Sequence, residues 1–141
     1  MRVVQVVAAA LVDGAGRVLL AQRPEGKAMA GLWEFPGGKV ETGETPEAAL
    51  IRELDEELGL DVVAGDLAPL TFVSHGYADF HLVMLLYVCR RWQGVPASGI
   101  GQALRWEIPA AMSALPMPAA DVPLVAALED ALRSTSDVAA V

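Results

Sequence analysis

The sequence predicts an α/β fold, with helices layered on a mixed β-sheet in a single domain, and three observations carry that prediction. Apolar runs of strand length recur at 3–12, 17–23, 67–74, 80–90 and 102–108. Helical periodicity is confined to about 45–58 and 123–133, so strands surround one central helix and a second helix ends the chain. Finally, 141 residues with 54% hydrophobic and 20% charged side chains suffice for one packed core and are too apolar for a disordered chain. The domain is read as 1–134, with 135–141 as a frayed tail.

Taking the elements in order, residues 3–12 are rich in valine and alanine and read as a buried strand. Asp13-Gly14-Ala15-Gly16 is a turn, and 17–23 is the returning arm of a hairpin. Pro24, Gly26 and Gly31 make 24–31 a loop, and Leu32 to Phe35 is a short strand closed by Pro36-Gly37-Gly38. The period then changes. Thr45 is a good N-cap, Pro46 suits the first helical position, Glu47 favours the helix dipole, and Gly59 supplies the stop after Leu58. Strands follow as above, then Pro109, Pro116, Pro118 and Pro123 mark an irregular stretch before the last helix.

Charge narrows the function. A net charge of −8 removes the counterion-release affinity on which bulk DNA or RNA binding rests. If the substrate is a phosphate ester, a divalent cation must mediate between two negative partners. The single cysteine, Cys89, lies in an apolar stretch and reads as a small buried hydrophobe. No disulfide can form within the chain, which fits a reducing cytoplasm. The apolar start is not read as a signal peptide, because Gln5 interrupts it, Asp13-Gly14 ends it, and Arg17-Val18-Leu19-Leu20 resumes it as a strand. No apolar run reaches transmembrane length.

The chemistry concentrates between Gly38 and Leu60. Successive helical residues turn by about 100°, so Glu53, Glu56 and Glu57 share one face while Leu50, Ile51, Leu54 and Leu58 share the opposite one. Like charges at such spacing destabilise a helix by a few tenths of a kcal/mol per pair. A cluster of hard oxygens with few cations nearby is what Mg²⁺ or Mn²⁺ requires, and a bound ion turns the repulsion into attraction. Arg52 is placed to orient one of the carboxylates, and Glu44 adds a fourth just upstream. Gly37 and Gly38 permit close backbone approach, so that a carbonyl there can join the metal shell.

This segment resembles the box of the Nudix hydrolases, G-x5-E-x7-R-E-U-x-E-E-x-G-U with U aliphatic. Gly38, Glu44, Arg52, Glu53, Leu54, Glu56, Glu57, Gly59 and Leu60 fall on its constrained positions without a gap. The resemblance implies an α/β/α sandwich and Mg²⁺-dependent hydrolysis of a nucleoside diphosphate linked to another group. It gives catalytic roles to Arg52, Glu53, Glu56, Glu57 and Glu44, and a metal site to Gly37, Gly38, Glu53, Glu56 and Glu57. Beyond the box, Gln22-Arg23-Pro24 and Met29 to Lys39 are similar to the approach to the box in the MutT-like branch, whose members sanitise the nucleotide pool by converting 8-oxo-dGTP to monophosphate and pyrophosphate. That likeness implies a nucleotide pocket lined by Arg23, Glu34, Phe35, Pro36 and Gly37. The segment Pro118 to Pro123 is similar to one that supplies a base-reading asparagine in that branch; Asp121 stands there in this chain.

Two departures qualify the likeness. Ile100 occupies the place, before Gly101-Gln102, where MutT-like chains often carry a glutamate, and an isoleucine cannot ligate or act as a base. Phe80 stands where a polar residue would help read the base. His75 and His81 are read as structural, and Trp92 and Trp106 as packing anchors. The expected partner is a small nucleotide, with no nucleic acid and no membrane; nothing in the sequence sets an oligomeric state. Two alternatives stand beside this reading. One is another Nudix substrate such as a dinucleoside polyphosphate, for which Tyr77 is the hint. The other is a non-catalytic module that reads oxidised bases, although such modules generally lose the box carboxylates that are all present here.

Overall fold

The apolar run that begins the chain becomes the central strand. In the computed structural model, which describes the backbone of residues 1–140 and the side chains of 1–133, β1 (Val3–Leu11) and β2 (Val18–Gln22) are followed by β3 (Trp33–Glu34) and β4 (Gly37–Lys39). Then come α1 (Pro46–Leu58), β5 (Leu67–Gly76), β6 (His81–Cys89), β7 (Leu104–Glu107), α2 (Pro109–Met112) and α3 (Val122–Ala140). A four-stranded sheet has the order β4-β1-β6-β5, with β1 parallel to β6 and antiparallel to β4. A three-stranded sheet has the order β3-β2-β7. The sheet is mixed, as the sequence predicted.

The lack of polar alternation over Val7–Val12 has a simple cause: helices cover both faces of β1. Val7, Ala9 and Leu11 pack with Ala49, Leu50, Leu54 and Leu58 of α1. Ala8, Ala10 and Val12 face the other way, onto Met112 of α2 and Leu124, Val125 and Leu128 of α3. The result is the expected α/β/α layering. Cys89 is fully buried on the α1 side, and Trp92 stacks on Trp106 with ring centroids 6.1 Å apart, so both behave as packing groups.

α1 is built as its sequence dictates. The Thr45 side chain accepts a hydrogen bond from the Ala48 N–H, Pro46 opens the helix, and Gly59 closes it with a left-handed φ of 68°. Leu50, Leu54 and Leu58 are essentially inaccessible, whereas Ile51 is only half-buried at the edge of the core.

Three local expectations are revised. β1 and β2 do not form a hairpin. They touch at a bridge between Val12 and Val18 and then part into different sheets. Both edges of β1 are occupied, by β4 and by β6, so β2 has no edge of β1 left to pair with and takes β3 and β7 instead. Gly37-Gly38, read as the end of a strand, is itself a strand on β1. α3 starts at Val122 and continues to Ala140, beyond the helix end expected near 133; the frayed tail expected over 135–141 falls outside the residues whose side chains are described. Among the described residues, no helix is long and apolar enough to cross a membrane.

Leu54 is fully buried between α1 and β1 and makes no polar interaction. Leu54→Ala is expected to lower the unfolding free energy by about 2–5 kcal/mol. Chemical denaturation monitored by circular dichroism checks this.

Candidate active site

The site forms where β4 is squeezed between β1 and α1. β4 pairs with β1 in the register Ala8↔Gly37 and Val7↔Gly38. A Cβ on Gly37 would lie 2.0 Å from the carbonyl oxygen of Val7, so no larger residue fits without parting the strands. A Cβ on Gly38 would lie 2.3–2.6 Å from the carboxylate of Glu53. The two glycines thus set how closely the helix carboxylates approach the sheet.

The carboxylates of α1 are held by different partners. Glu57 accepts from the N–H of Gly37 at 3.1 Å. Burial pushes its carboxyl up to about 7; the Gly37 N–H opposes this and the nearby charge of Glu53 adds to it. Arg52 organises the others. It donates to both oxygens of Glu44, from Nε at 2.8 Å and from Nη2 at 2.9 Å, to Glu53 from Nη1 at 2.8 Å, and to the Lys39 carbonyl from Nη2 at 3.1 Å. Glu56 receives a longer contact from Nη1 at 3.4 Å, and its side chain is 62% exposed. The Arg52 hydrogen bonds, with the N–H of Glu41, hold the Glu44 carboxyl down to about 2. A planar, five-donor guanidinium alone among side chains can serve this many acceptors at once.

Among the described residues, no three carboxylate, histidine or cysteine side chains converge into a closed ligand cage. Glu53, itself bonded to Arg52, and Glu57 line a common cleft, which Glu56 and Glu44 do not. Glu44 therefore serves the constellation by anchoring Arg52. Glu53 and Glu57 still fit a divalent cation: both offer hard oxygens, they repel each other, and burial makes Glu57 resist ionisation, with the charges of Glu53 and Glu34 adding more than Arg23 offsets.

The cleft has a volume of about 410 Å³ and runs from Glu53 and Glu57, past Gly37, Gly38 and Lys39, to Arg23, Glu34, Phe35 and Asp121. Arg23, expected to meet phosphate or base, is tied to Glu34 at 3.1 Å and to the Ala28 carbonyl at 2.7 Å. Phe35 borders the cleft but is 4% exposed and packed into the core, so it offers little ring face. Pro36 is buried, and its carbonyl accepts from the Ala9 N–H, which pins the strand ahead of the glycines. Asp121 is 3% exposed, yet its carboxyl faces the cleft and receives a hydrogen bond from the Phe35 N–H. Ile100 lines the cleft and is 67% exposed, a residue without a ligating atom at its rim.

A side chamber of about 230 Å³ opens beyond Asp121, lined by Tyr77, Phe80, Leu82, Met84 and Met29. Tyr77 stacks on Phe80 at 5.2 Å, and its hydroxyl accepts from the Ala120 N–H, which ties this platform to the Asp121 loop. Sequence reasoning gave no role to Lys27, Lys39, Met84 or Gln102, all of which line the cleft. For Lys39 the signal was present, one residue beyond Gly38; for the other three, only strand and loop packing reveals it.

The layered fold and this glycine–carboxylate cleft define a Nudix-type domain, and the chain belongs to that family: the NUDIX domain profile matches residues 7–127. Its relatives include the CTP pyrophosphohydrolase of Escherichia coli strain K12, 38% identical over 129 residues that cover 90% of this chain and 92% of that protein. They also include the 8-oxo-dGTP diphosphatase of the same strain, 30% identical over 92% of this chain and 98% of that one. Among solved structures, the E. coli ORF135 protein is similar, with a TM-score of 0.81 and 35% identity over 96% of this chain and 94% of that one.

Two variants separate the glycines. Gly37→Ala meets backbone and is expected to unfold at markedly lower denaturant, whereas Gly38→Ala meets only the movable end of Glu53 and is expected to keep stability within about 1 kcal/mol. Urea melts of both check this. A second expectation follows from the depressed carboxyl of Glu44. Its stabilising contribution is complete above the ordinary carboxylate range and is lost as pH falls through that range toward about 2. Arg52→Gln is expected to flatten that part of the acid stability profile, as read from melting temperatures across pH.

Proposed function

We propose that this chain hydrolyses nucleoside triphosphates, 8-oxo-dGTP and related nucleotides among them, to nucleoside monophosphate and pyrophosphate with Mg²⁺, Mn²⁺ serving in its place. The observation that carries this is a pair of adjoining pockets that share Arg23, Glu34, Lys39, Met84 and Asp121, one holding Glu53, Glu57, Gly37 and Gly38 and the other the Tyr77–Phe80 platform. The first suits a metal-borne polyphosphate, and the second suits a base. The relatives named for CTP and 8-oxo-dGTP hydrolysis support the same reaction.

A bound divalent cation would polarise a phosphoryl oxygen and make water a nucleophile near neutral pH. Glu53 and Glu57 would hold it, with backbone at Gly37 and Gly38 alongside and Glu56 nearby on the helix. The remaining work falls to this chain's own groups. Arg52 orients Glu53 by a charge-assisted hydrogen bond. Lys27 and Lys39 bring positive charge to a cleft in an otherwise acidic protein, where a polyphosphate needs it. Ile100 supplies neither ligand nor base, which leaves the α1 carboxylates to do both. Tyr77, the residue that hints at a dinucleoside polyphosphate, packs on Phe80 and accepts from the Ala120 N–H. A substrate of the expected kind is a small soluble nucleotide, consistent with work in the cytoplasm.

Glu57→Gln is nearly isosteric and is expected to fold normally while losing about a hundredfold of Mg²⁺-dependent turnover, the order expected when several kcal/mol of charge stabilisation is removed. Pyrophosphate release from a panel of nucleoside triphosphates, with and without Mg²⁺, measures it. Turnover within about threefold of wild type would exclude Glu57 from the metal site.

A further inference from the structure

β5 is an edge strand that lacks most of the usual protection of an edge. It pairs with β6 on one side and, among the described residues, with no strand on the other. Its first part is blunted, since Pro69 has no N–H and the register with β6 slips between Pro69 and Thr71. Over 71–76 the pairing with β6 is regular. The outward main-chain N–H and C=O groups of that stretch form a row that another extended chain can bond. Soluble proteins commonly guard such a row with charged side chains. Here, although 20% of the chain is charged, no residue of β5 or of β6 behind it is aspartate, glutamate, lysine or arginine.

The same edge carries a knob beside a hollow. Phe72 is 64% exposed, whereas Phe35 is buried and Phe80 is half-buried. Next to it lies an apolar hollow of about 210 Å³ lined by Pro69, Leu70, Leu85, Leu86 and Tyr87. Phe72 pairs with Leu85, which packs with the core under α1, as does Tyr87, so ring and hollow share the α1 side of the sheet. The Tyr87 hydroxyl is committed to Glu47 of α1. An antiparallel edge is self-complementary about a two-fold axis normal to the sheet, because each outward N–H then meets a C=O of the other copy. Such an axis keeps the α1 sides of both copies on one face of the joined sheet. We propose that two copies of this chain associate through β5, pairing residues 71–76 edge to edge and seating each Phe72 in the hollow of the other copy, so that two four-stranded sheets join into one of eight.

Charge selects a second copy as the occupant. Each copy carries −8, so two copies repel except along a strip free of charge, and a strongly acidic or basic partner would find no counter-charge on this edge. Area sets the strength. Six residues of edge are about 20 Å long and about 10 Å thick, and seating two phenylalanine rings adds a similar area, so about 1,000 Å² is buried in total. That is the low end for a specific interface and gives a weak, concentration-dependent dimer. β4, which carries Gly37 and Gly38, is the opposite edge of the sheet, so pairing at β5 leaves the cleft's glycine edge free. The proposal stands independently of what the cleft hydrolyses.

Sedimentation of the intact chain tests it, at about pH 8 so that histidines are neutral. Between about 5 µM and 1 mM the mass is expected to move from 14.8 kDa toward twice that value. Raising the salt from about 0.05 to 0.5 M is expected to tighten association several-fold, since it screens the repulsion between two acidic copies. Phe72→Lys removes the knob and sets like charges at the shared seam, and is expected to weaken association by about tenfold or more. Because Phe72 is mostly exposed, that variant's melting temperature at about 5 µM is expected to stay within about 2 °C of wild type. Phe72→Ala, which adds no charge, is expected to weaken association by about fivefold and carries the test should the lysine perturb the fold. In hydrogen exchange at high concentration, amides within 71–76 are expected to slow in the wild type and not in Phe72→Lys. A chain that stays monomeric to about 1 mM would overturn the proposal. So would a dimer that both Phe72 variants leave intact, or one whose amide protection falls outside 71–76.

Discussion

Everything in this site depends on how closely β4 lies against β1. The backbone of Gly37 leaves no room for a side chain beside the Val7 carbonyl, and Gly38 leaves none beside Glu53. Because those positions carry only hydrogen, the strand can bring the Gly37 N–H within 3.1 Å of Glu57 and let Glu53 and Glu57 face a cleft that adjoins the Tyr77–Phe80 chamber. A residue with a Cβ at either glycine would push the sheet or a carboxylate aside. The glycines are therefore spacers that set the distance between a helix and a sheet, in addition to being permissive backbone.

Arg52 provides the second constraint. Carboxylates at close helical spacing repel, and a helix that must carry them needs a fixed counter-charge. Arg52 reaches Glu44 before the helix, Glu53 and Glu56 on it, and the Lys39 carbonyl on β4. It thus ties the loop, the helix and the strand into one unit. The same guanidinium holds both oxygens of Glu44 away from the cleft that Glu53, which it also binds, and Glu57 line. Electrostatics at the far end follow a parallel logic: Arg23 is committed to Glu34, so Asp121 is left with a backbone N–H in place of a cation.

Much of this was legible in the chain, because the signals were local. The Thr45 cap, Pro46, the leucine spacing and Gly59 together specify α1, and each depends only on neighbours within a turn or two. The valine–alanine run announced a strand covered on both faces. The parting of β1 from β2 could not be read, because it depends on which strands, from much later in the sequence, occupy the edges of β1. Phe35 illustrates the same limit. An aromatic next to the box suggests a stacking face, yet its ring is drawn into the core between β1 and α3 by contacts far along the chain.

By itself, then, the sequence determined the layered α/β class, the helix that bears the carboxylates, and the family to which the box belongs. These rest on periodicity, capping and fixed spacing within one contiguous segment. Tertiary structure alone decided which carboxylates face the cleft and which do not, and that a chamber walled by Tyr77 and Phe80 adjoins it. It also decided that Asp121 is buried beside a second acid without a cation of its own. The physical reason is common to all three. Burial, and the assignment of a shared counter-charge, are properties of groups brought together from separate parts of the chain, and no spacing along the sequence encodes them.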